Sequence, residues 1–404
     1  MNQGRERCDL IIAGAGPAGL ATALYLLARR PELAGRVIAL DKARHPRPKV
    51  CAGGLIPKTI AALDELGIGL DVPAVQVTAG VARTEIGSVD IPRGEVLCTI
   101  VRRDQFDASL AAAARRAGLR IVEDCRVDRV EEGADSVRVT AVRGSFEAPL
   151  IVGADGSGSR VRRALFSERR ELIGRGLMVD VPVDPEVAVE FRDRRYRFDF
   201  DCVRAGVRGY AWSFPCMVDG RAHLNAGIYD QFADGRVSNR LMIDQLREAF
   251  PQIAIPTDAR CFRAFPIRWF DAGDGFATRR ALLAGDAAGV DPLMGEGISY
   301  AFEHGRLAAE SIARFLDGDG DALRDYDRTL RSGAVGRKLG RLAFAARRFY
   351  GPRHRLYFRL AQLSPKAQQM GVDWYNGARN LDQVPARRLI ARWARAVLLG
   401  RPVR

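Results

Sequence analysis

Three glycine-centred segments carry the residues of this chain best suited to chemistry. The first is Gly14-Ala15-Gly16-Pro17-Ala18-Gly19. The second is Gly153-Ala154-Asp155-Gly156, with Ser159 close behind. The third is Gly285-Asp286-Ala287-Ala288-Gly289, running through Pro292 to Gly295-Glu296-Gly297-Ile298. A Gly-x-Gly-x-x-Gly turn between strand and helix lets backbone approach a pyrophosphate, whose charge then meets the helix N-terminus. Gly14, Gly16 and Gly19 hold those positions. Asp41 closes the next apolar run, followed by Lys42, and its carboxylate can accept from a ribose. An acid there suits an adenosine ribose without a 2′-phosphate. Any one segment could be a plain turn; together, in this order, they point to a dinucleotide site.

Two further segments bear on what the dinucleotide would face. Lys49-Val50-Cys51-Ala52-Gly53-Gly54-Leu55 places a thiol beside glycines that permit close backbone approach. Tyr210-Ala211-Trp212-Ser213-Phe214-Pro215 puts three aromatics at alternate positions, as on one face of a strand. The plain alternative is an edge strand with core aromatics and a terminating proline.

The elements that must position these groups follow from apolar patterning. Cys8 to Ala13, Val37 to Leu40, Leu150 to Val152 and Leu282 to Ala284 read as short buried strands. Pro17 to Arg30, Lys58 to Leu66, Asp104 to Ala117, Arg240 to Phe250 and Ile298 to Phe315 read as helices. Leu119 to Val122, Cys125 to Val130 and Val137 to Ala141 read as a β-meander. Strand-like stretches surround Val179, Phe200, Ala211 and Leu224. The expected fold is α/β, a Rossmann-like dinucleotide domain with an inserted antiparallel β-sheet substrate domain and a helical C-terminal segment. Residues 1–75, 98–168 and 270–330 would form the discontinuous nucleotide domain. Residues 76–97 and 169–269 would form the substrate domain, and 331–404 a basic helical region.

Pro17-Ala18-Gly19-Leu20 is a form associated with FAD proteins. From these residues the chain, over roughly 8 to 330, resembles the flavoprotein superfamily that includes aromatic hydroxylases and geranylgeranyl reductases. Arg103-Asp104-Gln105-Phe106-Asp107 is similar to the family's Arg-x-x-Phe-Asp element, whose arginine helps hold FAD. By the same resemblance Asp155 contacts FAD or NADPH, and Asp286 accepts a ribityl hydroxyl. The loop from Pro292 through Gly295, Gly297 and Ile298 would bring N–H groups and a helix N-terminus to the flavin's pyrimidine edge.

The Cys51 loop, with Ala52 and Gly53, is similar to the Cys-Gly-Gly loop of geranylgeranyl reductases, and Tyr210, Trp212 and Phe214 match their Tyr-x-Trp-x-Phe-Pro signature. The resemblance implies hydride transfer from reduced FAD to a double bond of an isoprenoid or other long apolar substrate. Cys51 would be the catalytic residue, and NADH, NADPH or another reductant the electron donor. There are departures: Ala52 is inserted before the glycine pair, and Asn225-Ala226-Gly227 keeps one glycine of an expected Gly-x-Gly. The alternative is a monooxygenase or halogenase-like enzyme acting on an aromatic or polyketide-like metabolite. Gly289 stands where hydroxylases commonly carry histidine, and Met294-Gly295-Glu296-Gly297 does not match the halogenase Ser-Ser-Gly pattern.

The seven cysteines are widely spaced without Cys-x-x-Cys, which supports neither a disulfide framework nor a metal site. Most are expected as small buried apolar residues. The polar start leaves no room for a secretory signal before Cys8, so the expected location is cytoplasmic. From Arg331 onward stand 17 basic and two acidic residues, leaving 46 basic against 47 acidic elsewhere. This basic region has amphipathic spacing at Arg337 to Arg348 and Arg387 to Leu399, which suits peripheral membrane contact at the inner membrane face or a helix packed on the body. No recognition motif accompanies the charge, so a specific nucleic-acid partner is not expected.

Overall fold

The computed structural model describes residues 5–91, 94–167, 172–232, 234–362 and 365–377, with positions 388 and 391. The nucleotide half is a five-stranded sheet. Its neighbour order is Ala281–Leu283, Ile151–Gly153, Leu10–Ala13, Val37–Leu40 and Arg120–Val122. Every pair in it is parallel. Leu10–Ala13 and Val37–Leu40 are buried at every position, as strands covered on both faces must be. The register sets Gly153 beside both Ala13 and Leu283. The three glycine segments therefore leave the same end of the sheet, at the carboxyl ends of adjacent strands, where open α/β sheets bind ligands.

Helix Pro17–Arg29 follows the first strand, with Pro17 at its start, where the missing N–H is no loss. Helix Ile298–Leu316 follows the third glycine segment and buries Ile298, Ala301, Phe302, Ala308 and Ile312 along one face. Helix Arg103–Arg116 begins one residue before its expected start.

The expected meander is corrected. Arg120–Val122 pairs with Val37–Leu40 at the edge of the parallel sheet. Asp124, at a φ of 52°, turns the chain away immediately after it. The meander is instead Val127–Glu132, Val137–Ala141 and Gly144–Ala148, with Glu6–Arg7 added in parallel. Short apolar alternation specifies a strand but not which sheet receives it.

The second large sheet has seven strands. Their order is Arg263–Arg268, Ile173–Pro182, Arg221–Asp230, Gly209–Val218, Arg195–Asp199, Ala79–Thr84 and Gly87–Ile91. All neighbours are antiparallel except Arg195–Asp199 with Ala79–Thr84. Its two faces diverge by the two-residue period. Ala211, Ala226 and Ile228 pack with Met242, Ile243 and Leu246 of helix Asn239–Ala249. Tyr196, Tyr210, Trp212, Phe214 and Tyr229 form the opposite cluster. A three-stranded sheet of Gly54–Leu55, Cys98–Val101 and Ala74–Val77 joins the two halves in the chain.

Helices Ala322–Ser332, Ala334–Phe349, His354–Gln362 and Pro365–Asn376 complete the described fold. No described helix is long and apolar enough to cross a membrane. All seven cysteines are free thiols; four are buried, Cys8 and Cys51 are partly buried, and Cys261 is exposed.

Candidate functional site

A cavity of about 1130 Å³ runs from the glycine segments to the aromatic face of the second sheet. That exceeds the ~300–1,000 Å³ of ordinary small-molecule pockets. One end is polar, with Asp41, Lys42, Arg47, Arg103, Asp155 and Asp286. The other is apolar, with Tyr196, Phe198, Tyr210, Trp212, Phe214 and Tyr229. Cys51 and Ala52 line the same cavity.

At the polar end, Gly14 takes a φ of +99°, and a Cβ there would lie 2.3 Å from the Ala154 carbonyl oxygen. Only glycine can hold that turn against the second segment. Asp41 fixes it from the other side. Its carboxylate accepts from the backbone N–H of Ala15 at 2.7 Å and of Ala43 at 2.8 Å. Above Gly16 a Cβ would meet only the Arg47 guanidinium, at 3.4 Å. Gly16, Pro17 and Ala18 line the open space.

Asp155 accepts from Arg160 N–H at 2.6 Å and Val161 N–H at 3.3 Å through one oxygen, at the start of helix Arg160–Leu165, whose N-cap is Ser159. Its Oδ1 is buried without a hydrogen-bond partner. Burial pushes the Asp155 carboxyl above its ordinary value. A buried oxygen left this way needs a donor. Asp286 accepts from the Ser157 hydroxyl at 3.3 Å. Its segment is held by His304, whose Nδ1 accepts from the Gly285 N–H at 3.1 Å. Burial lowers His304 to about 3, so the ring is neutral with its proton on Nε2.

Arg103 is buried and grips Asp107 through two bonds of 2.8 and 3.1 Å. Arg47 approaches the same carboxylate at 3.3 Å. Burial pulls the Arg103 guanidinium down, but Asp107 and the adjacent Cys51 side chain more than offset it. The Cys51 sulfur also accepts from the Gly53 N–H at 3.4 Å. Lys49 extends into the cavity with Nζ 3.0 Å from the centroid of the Phe265 ring. Burial lowers it to about 8, with Asp286 opposing the shift.

The loop after the third segment is braced by its neighbours. Asp291 is buried and accepts from Leu293 N–H at 2.7 Å, Met294 N–H at 3.1 Å and the Tyr375 hydroxyl at 2.9 Å. Burial raises it to about 6. Tyr210 donates to the Met294 carbonyl, and Tyr350 to the Leu293 carbonyl at 2.6 Å. Glu296 accepts from Ser299 N–H at 2.8 Å at the start of helix Ile298–Leu316. Gly295, Glu296, Gly297 and Ile298 line the cavity.

In the aromatic wall, Trp212 lies flat on Gly227, where a Cβ would sit 2.1 Å from the indole. The single glycine kept in Asn225-Ala226-Gly227 is thus the one the ring requires. The Trp212 N–H donates to Asn225 Oδ1 at 2.9 Å, and the Asn225 amide donates to Asp180 at 2.7 Å. Arg102 closes this chain on the other Asp180 oxygen at 2.7 Å.

Three expected site residues do not line the cavity. Gly19 is buried, where a Cβ would lie 2.0 Å from the Gly14 carbonyl oxygen, so it serves the turn from inside. Gly53 is packed on the Val101 carbonyl. Pro292 is buried, with its carbonyl accepting from Gln231 at 3.2 Å. The other expected residues, Tyr210, Trp212 and Phe214 included, all line it.

Sequence reasoning missed Asp291, His304, Asn225, Lys49 and the C-terminal wall. Phe349, Val372, Trp374 and Tyr375 close the cavity from helices Ala334–Phe349 and Pro365–Asn376. The Arg337 to Arg348 stretch therefore packs its inner face on the body. Arg387 to Leu399 lies outside the described residues apart from Arg388 and Ala391, which are exposed.

Residues 7–334 match the family described as FAD binding domain. A menaquinone reductase of Mycolicibacterium smegmatis is 29% identical over 330 residues, covering 75% of this chain and 76% of that protein. A geranylgeranyl diphosphate reductase of Rhodobacter capsulatus is 28% identical over 328 residues, covering 76% and 75%. Among solved structures, a geranylgeranyl bacteriochlorophyll reductase-like protein of Thermoplasma acidophilum superposes with a TM-score of 0.71 at 19% identity. That match covers 97% of this chain and 96% of the other.

Proposed function

This chain belongs to the FAD binding domain family, and from that premise we propose that it reduces carbon–carbon double bonds of an isoprenoid or other long apolar substrate. The chain is an FAD-dependent oxidoreductase similar to geranylgeranyl reductases. The observation that carries the substrate class is the cavity's polarity. An aromatic wall continues without a break from the charged end that suits a dinucleotide.

The residues present fit FAD. Gly16 and the Arg47 guanidinium, 3.4 Å from where a Cβ on Gly16 would stand, line the cavity together at the glycine turn. The orphaned Asp155 oxygen awaits a donor such as a ribose hydroxyl. Asp41, Lys42, Arg103 and Asp286 would hold the rest of the dinucleotide, with Gly295, Gly297 and Ile298 at its ring end. When bound and reduced, FAD supplies hydride, the chemistry that such cofactors carry. NADH, NADPH or another reductant would reload it.

The chain's own residues do the rest. Tyr210, Trp212 and Phe214 exclude water and align the double bond beside Cys51. Cys51 Sγ, next to the Arg103 guanidinium, would deliver the proton to the second carbon. Reduction adds two hydrogens and no oxygen.

The test is anaerobic turnover of the FAD-loaded protein on a polyprenyl substrate, read by mass spectrometry. A product heavier by two hydrogens per double bond supports the reading. A product that has gained oxygen, formed only in air, refutes it in favour of a monooxygenase.

A further inference from the structure

Helix Ala334–Phe349 has two faces of opposite character. Its inner face buries Val335, Leu339, Leu342 and Ala346, and Leu342, Ala345 and Phe349 reach the cavity. Tyr350 then ties the helix end to the flavin-side loop. The outer face is exposed at Arg337, Phe344 and Arg347. Phe344 is 50% exposed, and the Arg348 guanidinium stacks on its ring. The next helix, His354–Gln362, adds exposed Arg355, Leu356 and Arg359, with Leu356 also 50% exposed.

From 334 to 362 the chain holds eight Lys and Arg and no Asp or Glu. Lys338 turns inward, and the ammonium donates to the Trp374 and Tyr375 carbonyls at 3.0 and 3.1 Å. Arg355 is answered by Glu85, in the turn between strands Ala79–Thr84 and Gly87–Ile91. Arg347 and Arg359 meet no carboxylate among the described residues. The surface is thus a field of arginines around two exposed apolar side chains, laid over the apolar end of the cavity.

We propose that this outer face docks on an anionic lipid surface and sets the cavity against the bilayer. Arginines neutralise acidic headgroups while Phe344 and Leu356 enter the interface between them. The docking stands on these helices alone. Its purpose, drawing a long apolar substrate from the membrane, rests on the reading above. A nucleic acid of equal acidity would satisfy the charge but not the protruding apolar side chains.

The experiment uses the full FAD-loaded chain and vesicles of phosphatidylcholine alone or mixed with phosphatidylglycerol. Sedimentation should find the protein on the mixed vesicles, little on the neutral ones, and less as salt rises. Arg347→Gln and Arg359→Gln should each weaken partition roughly fivefold, from about 1 kcal/mol per basic residue near such a surface. Phe344→Ser should weaken it without changing salt dependence. Retained flavin absorbance shows that each variant is folded.

The proposal is overturned if the mixed vesicles bind no better than neutral ones, or if all three variants bind like the parent. It is also overturned if Phe344→Ser dissolves a dimer that vesicles do not disrupt, since the partner is then a second copy. Turnover of the same substrate in detergent micelles separates the two readings. Micellar reduction without vesicle binding removes only the docking. Vesicle binding with no reduction in either setting removes only the reductase reading.

Discussion

The hydroxyl of Tyr375 donates to the buried carboxylate of Asp291 at 2.9 Å, joining the C-terminal helices to the loop that follows the third glycine segment. One residue belongs to helix Pro365–Asn376 and the other follows strand Ala281–Leu283 by eight positions. Tyr375→Phe removes the donor and leaves a buried carboxylate short of a partner, at a cost of about 1–3 kcal/mol. Thermal unfolding should shift down. Hydrogen exchange should rise first in helices Ala334–Phe349 and Pro365–Asn376.

Asp291 also predicts a pH dependence. Its carboxyl is raised from 3.8 to about 6 by burial, so the folded chain holds this proton more tightly than the unfolded one. The contribution to stability is fully present below pH 3.8 and is lost as pH rises through about 6. Asp291→Asn should remove that slope, at most about 1.4 kcal/mol per pH unit. Denaturant midpoints of parent and variant across this window check it; parallel curves would refute the assignment.

Arg103 and Asp107 form the deepest charge pair beside Cys51. Arg103→Met leaves Asp107 with Arg47 alone and should cost about 3–5 kcal/mol of stability or flavin affinity. Arg103→Lys should not restore flavin retention, because an ammonium cannot supply two parallel bonds. Flavin fluorescence on titration with FAD reads both.

Gly227→Ala places a methyl where the Trp212 indole lies. The ring must move out into the cavity. Turnover on a long substrate should fall while FAD binding stays within about twofold, since nothing at the polar end touches Gly227. Asn225→Leu should move Trp212 by another route, leaving its N–H unanswered and Asp180 with Arg102 alone, at about 1–3 kcal/mol. Tryptophan fluorescence should shift in both variants.

Lys49 titrates near pH 8 inside the cavity. The folded state holds this proton less tightly than the unfolded chain does, so its ammonium is lost as pH rises through about 8. An anionic ligand held near Asp286 and Cys51 should weaken over that step. Flavin affinity measured from pH 7 to 9 should show an inflection that Lys49→Met abolishes.

The glycine turns were legible because their cause is local. A turn that must admit a phosphate needs glycine at fixed offsets whatever surrounds it, and strand–turn–helix patterning places it. The aromatic triplet was legible for a similar reason, since the two-residue period of a strand puts 210, 212 and 214 on one face. Partner choice was not local. Alternation at Arg120–Val122 marked a strand, yet only the packing of Ile121 and Val122 beside Val37–Leu40 assigned it to the parallel sheet.

The amino-acid sequence by itself determined a dinucleotide turn, three acids at strand ends and a row of aromatics, each a short-range consequence of residue type and spacing. Only the tertiary structure decided that Asp291 meets Tyr375, that His304 holds Gly285, that Trp212 needs Gly227, and that arginine-rich helices form a cavity wall. Those pairings join residues far apart in the chain or on different strands. Burial and hydrogen-bond satisfaction select them, and no sequence period encodes either one.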